Sequence, residues 1–138
     1  MFIWTKQLSV GNRTLDSEHK KLHETINKIA QSIVAKDVAA LPEAFDLLED
    51  YLYVYFVLEE KIARAINLDF AQHKLAHQDL LNEFQRIRDE VTVKNGLWSD
   101  EEGKGYAHAL MDSLVQHILK DGKPLKIILD TCFYDFNP

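Results

Sequence analysis

Four stretches of this chain repeat apolar side chains every three or four residues, and each interrupts its apolar face with residues able to bind a metal. They are His19 in the first, Tyr55 and Glu59 in the second, His73 and His77 in the third, and His117 and Asp121 in the fourth. The helical period puts positions i and i+4 on one side of a helix, so each pair points the same way and four such helices can aim their pairs at one interior point. This pattern restricts the chain to an all-α fold and predicts an up-and-down four-helix bundle with a polar centre.

The stripes set the expected boundaries. The first runs His19, Leu22, Ile26, Ile29, Ile33 and predicts a helix near 17–36, opened by Asp16 or Ser17 as cap and closed at Lys36 and Asp37. The second, near 40–65, carries Ala44, Leu48, Leu52, Tyr55, Glu59, Ile62 and Ile66, with Pro42 tolerated in its first turn. The third, near 69–93, presents Phe70, His73, His77, Leu80, Phe84, Ile87 and Val91. Asn95-Gly96 then marks a turn, and Ser99-Asp100-Glu101-Glu102 reads as a capping box for a fourth helix near 99–121, whose stripe is Tyr106, Leu110, Leu114, His117 and Asp121. A loop arm precedes these helices. Gly122 and Pro124 close the last one, leaving a short terminal helix over 125–130. With no internal repeat or composition shift, residues 1–138 are expected to form a single domain.

Charge and composition narrow the function. Twenty-two acidic against 16 basic residues give a formal charge of −6, and no Lys/Arg cluster stands out, so neither nucleic acid nor an anionic membrane is an expected partner. No apolar run reaches the length of a membrane span and no leader pattern opens the chain; with a single cysteine, Cys132, the expected location is cytoplasmic. Neither a phosphate-cradling loop nor a Ser/His/Asp arrangement is present, which argues against an ordinary hydrolase or nucleotide enzyme.

Glu59 carries the chemical argument. A carboxylate on an apolar helix face is costly to bury unless it is paired or coordinates a metal, and histidines on neighbouring helices supply a partner through a cation. Imidazole nitrogens with carboxylate oxygens suit iron, zinc, copper or manganese, and several histidines with bridging acids favour iron. The alternative is that each histidine is separately a hydrogen-bonded core residue, and spacing alone leaves both readings open. His23, one turn after His19, is expected at the edge of the stripe, facing solvent or supporting a ligand; His108 is expected at the surface, and Tyr53 should point away from the face that carries Tyr55.

The motifs together resemble the bacterial hemerythrin family, oxygen-binding di-iron bundles without haem. Trp4, Gly11, Asp16, His19, Lys20 and Leu22, then Ile26-Asn27, match the family's opening signature. Tyr55-Phe56-Val57-Leu58-Glu59-Glu60 matches its His-Phe-x-x-Glu-Glu, His73 and His77 its His-x-x-x-His, and His117-Ile118 its last His-Ile. The resemblance runs from Trp4 to about Leu129. It implies that His73, His77 and His117 bind one iron, that His19 helps to bind a second, and that Glu59 bridges both.

Two departures alter that expectation. Tyr55 replaces a histidine ligand by a phenol that must lose its proton to bind well, and Gly122 stands where the family has a bridging Asp, with Asp121 one place earlier. A local change at the helix end, of the kind a single-turn bulge provides, would let Asp121 serve. Both losses fall on the second iron. Ala63 and Ser113, small where the family usually has Met and Trp, imply a pocket more open to water. Three functions follow: a binding protein for dioxygen or a related small ligand at a di-iron site; a redox or gas sensor for peroxide or nitric oxide with a mononuclear or asymmetric iron site; or a metal-free helical interaction module. None is an enzyme beyond a weak peroxidase-like activity, and the protein partner is left open.

Overall fold

The computed structural model describes residues 12–69 and 71–121, with Asp121 as backbone only. Four α-helices follow in order, α1 Arg13–Val34, α2 Leu41–Ala65, α3 Ala71–Lys94 and α4 Asp100–Gln116, and a π-helical turn, His117–Asp121, continues α4 without a break. No strand occurs among the described residues. Helix α1 packs against both α2 and α4, and α3 against α4, giving the expected four-helix bundle. The N-terminal arm, Phe70, Gly122 and the expected terminal helix lie outside the described residues.

Local chemistry explains each boundary. α1 begins at Arg13, about a turn before the expected start, because Asn12 is the cap: its Oδ1 accepts from the Leu15 amide at 3.0 Å. Asp16, expected as a cap, sits buried in the first turn instead. α1 ends as Lys36 turns left-handed at φ 57°, with the Lys36 amide bonded to the Ile33 carbonyl and the Asp37 amide to that of Ser32. Those paired bonds satisfy carbonyls that a helix end would otherwise leave open. α2 ends in the same way, with Asn67 at φ 58° and the Leu68 amide reaching the Ala63 carbonyl. Asn95 and Gly96 at φ 48° and 89° make the turn after α3, and Ser99 Oγ accepts from the Glu102 amide at 3.1 Å to cap α4.

The apolar stripes meet in one core. Leu22, Ile26, Ile29 and Ile33 of α1 pack with Leu48, Leu52 and Ile62 of α2, Phe84, Ile87 and Val91 of α3, and Leu110 and Leu114 of α4. At the start of α2, Leu41 and Phe45 face the core where Ala44 was expected to, and Ala44 is only partly buried. Trp98 plugs the end of the bundle away from the polar centre, donating its indole N–H to the Ile33 carbonyl at 3.0 Å. Arg88 of α3 reaches Asp46 and Glu49 of α2 at 2.8 and 2.9 Å, an exposed tie of modest energy.

Candidate metal centre

Past Leu52 the α2 stripe turns polar, and the first polar side chain, Tyr55, is among the most buried in the protein. One turn later comes Glu59, which is 1% exposed. α3 brings His73 and His77 to the same depth. His73 Nε2 lies 2.5 Å and His77 Nε2 3.4 Å from Glu59 Oε1, so one carboxylate oxygen faces two imidazoles. α4 delivers His117 at its junction with the π-turn; its ring centroid lies 5.3 Å from that of His77 and 6.2 Å from that of His73. Glu59, His77 and His117 each offer a ligand atom within 4.8 Å of the others, close enough for one cation.

Tyr55 stands on the other side of this group. Its hydroxyl is 3.2 Å from His117 Nε2, and its ring meets His19 edge-on with centroids 4.7 Å apart. The structure brings together Glu59, His73, His77, His117 and Tyr55, with His19 against the Tyr55 ring. Asp121 ends the π-turn that begins at His117.

Burial and hydrogen bonding together set the charge states. Burial pushes the Glu59 carboxyl upward, but hydrogen bonds from His73 and His77 outweigh it and hold the group well below the usual carboxylate range. His19 is lowered to about 3, first by burial and further by His117 and His23, against an opposing pull from Glu59. The pocket thus combines an ionised carboxylate with a neutral imidazole, the protonation states a metal requires of such ligands. Mixed nitrogen and oxygen donors of this kind fit iron.

Two features add to the sequence reading. His23 is buried, not solvent-facing, and burial lowers it to about 4; its i+4 spacing from His19 was the available signal, obscured because the first stripe reads as complete without it. Phe56 stacks on His77 at 3.9 Å with planes 15° apart and holds that ring in place. His108 is exposed and Tyr53 is 72% exposed, as expected. No helix among the described residues is long and apolar enough to cross a membrane.

A family model described as the hemerythrin HHE cation binding domain matches residues 10–123. The chain is 28% identical over 120 residues to a bacteriohemerythrin of Pseudomonas aeruginosa, covering 86% of this chain and 75% of that protein. It is 22% identical over 129 residues to a bacteriohemerythrin of Stenotrophomonas maltophilia, covering 86% and 84%. A third similar protein, from Methylococcus capsulatus, is 26% identical over 109 residues, covering 78% and 80%. No solved structure matches significantly.

Proposed function

The chain belongs to the hemerythrin HHE cation-binding family, and from that premise we propose that it is a non-haem iron protein binding dioxygen or a related small ligand, and not an enzyme. The observation that carries this reading is the convergence of Glu59, His77 and His117 within 4.8 Å, with His73 on the same carboxylate oxygen. His73, His77 and His117 would hold one iron with Glu59, and His19 would serve a second position that Glu59 bridges. Iron held there would supply reversible small-ligand binding and one-electron chemistry. The chain's own part is to keep Glu59 ionised and His19 neutral and to hold the His77 ring against Phe56.

The second position is where this chain differs. The Tyr55 hydroxyl engages His117 Nε2, so a metal bound at that nitrogen would have to break the contact. Asp121 is proposed as the substitute acid. The π-turn that spans His117 to Asp121 is the kind of local bulge that would let this acid serve. These features favour a second reading, a redox or gas sensor with a mononuclear or asymmetric iron site.

Iron counted per chain after anaerobic purification separates the readings. Two irons support the carrier and one the asymmetric site, whereas none would sink both. His77→Ala should remove most bound iron and His19→Ala less, because the three-histidine position has no spare nitrogen. Equal losses would argue for a symmetric pair.

A further inference from the structure

Two cavities flank α3, and they end differently. The one between α2 and α3, about 390 Å³, is lined by Phe56, whose ring lies flat on His77 and seals that side of the centre. The one between α3 and α4, about 430 Å³, is lined by His117 itself, together with Ala76, Leu80 and Ser113. His117 is thus shared by a solvent-facing groove and the buried polar centre, where it meets Tyr55 and His77. Two of the side chains that line the groove with it, Ala76 on α3 and Ser113 on α4, are small. The Ser113 hydroxyl donates to the Ala109 carbonyl of its own helix at 2.8 Å, so its contribution to the groove is its small volume more than its polarity.

We propose that the groove between α3 and α4 is the route by which uncharged small molecules reach the centre, with Ser113 and Ala76 setting its width. A groove of this size far exceeds the roughly 30 Å³ share of one water in the liquid and falls in the range of small-ligand sites, so it can hold small uncharged ligands beside His117. Asp79 and Glu83 on the α3 rim disfavour anions, and Lys120 across the groove offsets them only in part. Its role as a route to iron rests on the reading of the centre given above.

The test uses the full chain without metal and dissolved dioxygen as a paramagnetic probe. Its relaxation enhancement at the His117 ring protons should exceed that at the His19 ring protons several-fold. Ser113→Phe, and separately Ala76→Leu, should lower the His117 value toward that of His19, with the fold checked by circular dichroism. Two variants on different helices guard against one that fails to fold. An unchanged His117 value in folded variants overturns the proposal, as does stronger enhancement at the Phe56 ring than at His117. After iron loading, Ser113→Phe should slow nitric oxide association while leaving iron content unchanged. A chain that binds no iron defeats the functional reading but leaves the metal-free relaxation result to decide the route.

Discussion

Tyr55 decides how far this centre departs from a symmetric pair. Its hydroxyl bonds His117 Nε2 and its ring lies against His19, so one side chain fills the space between a histidine of each proposed metal position. A phenol in that place either binds ferric iron as phenolate or keeps its proton and gives it to a neighbouring acceptor. The contact with His117 favours the second course. The iron-loaded, oxidised protein should therefore lack the strong visible phenolate-to-iron band, and its appearance in the parent with loss in Tyr55→Phe would overturn this view. Tyr55→Phe should also tighten the first metal by about fivefold, since a hydrogen bond worth about 1 kcal/mol no longer competes for His117. Tyr55→His should raise iron content toward two per chain. If it does not, the acid missing at Gly122 is the limiting defect.

At the scale of the elements, the turn between α3 and α4 shows how closely the far end of the bundle is packed. A Cβ on Gly103 would come within 3.1 Å of Trp98 Cδ1 and Nε1, and that indole is fixed by its bond to the Ile33 carbonyl. Gly105, on the same helix, has nothing within 4 Å of such a Cβ. Gly105→Ala should therefore stabilise the protein by up to about 1 kcal/mol, the ordinary helix-propensity gain. Gly103→Ala should lose about 1 kcal/mol, overpacking outweighing that same gain. Urea unfolding of the two variants checks this, and equal shifts would show that Trp98 yields.

The helices themselves were legible because their stripes keep a 3,4 spacing, and Ser99 and Asn95-Gly96 announced the last turn correctly. What the sequence hid has physical causes. α1 starts early because Asn12 caps it through a side-chain bond that periodicity does not record, although Leu15, buried four residues before His19, already continues the stripe. Lys36 and Asn67 end helices in a left-handed conformation without glycine, where the neighbouring hydrogen bonds and not residue type carry the signal. In the candidate centre, positions could be read but relations could not. Spacing placed Tyr55 and His19 on inward faces; only packing shows the phenol touching both His19 and His117. The π-turn from His117 to Asp121 was foreseeable only as a consequence of the displaced acid.

For the whole molecule, the centre makes stability depend on acid in one direction. His19 and His23 have folded-state values of about 3 and about 4, below their ordinary 6.5, so between those limits the unfolded chain binds more protons than the folded one. Stability then rises with pH through that window and is lost as pH falls. Glu59 acts in the same sense lower down: held below its ordinary 4.5, it contributes stability above that value that disappears as pH drops through its folded range. A tenfold difference in proton affinity between the folded and unfolded chain corresponds to about 1.4 kcal/mol, and a domain of ordinary stability holds only about 5–15 kcal/mol in reserve. The metal-free protein should accordingly show a urea midpoint that is flat from pH 8 to about 7 and falls steadily from about 6.5 toward 4. His23→Gln should flatten the upper part of that fall while leaving Glu59 and its two imidazoles in place. Iron should raise the midpoint at neutral pH by mass action and lose this effect on acidification, because protons compete for the same nitrogens. A metal-free midpoint that rises between pH 6.5 and 4.5 would mean that these histidines are charged inside the fold, and the neutral, metal-ready centre would have to be abandoned.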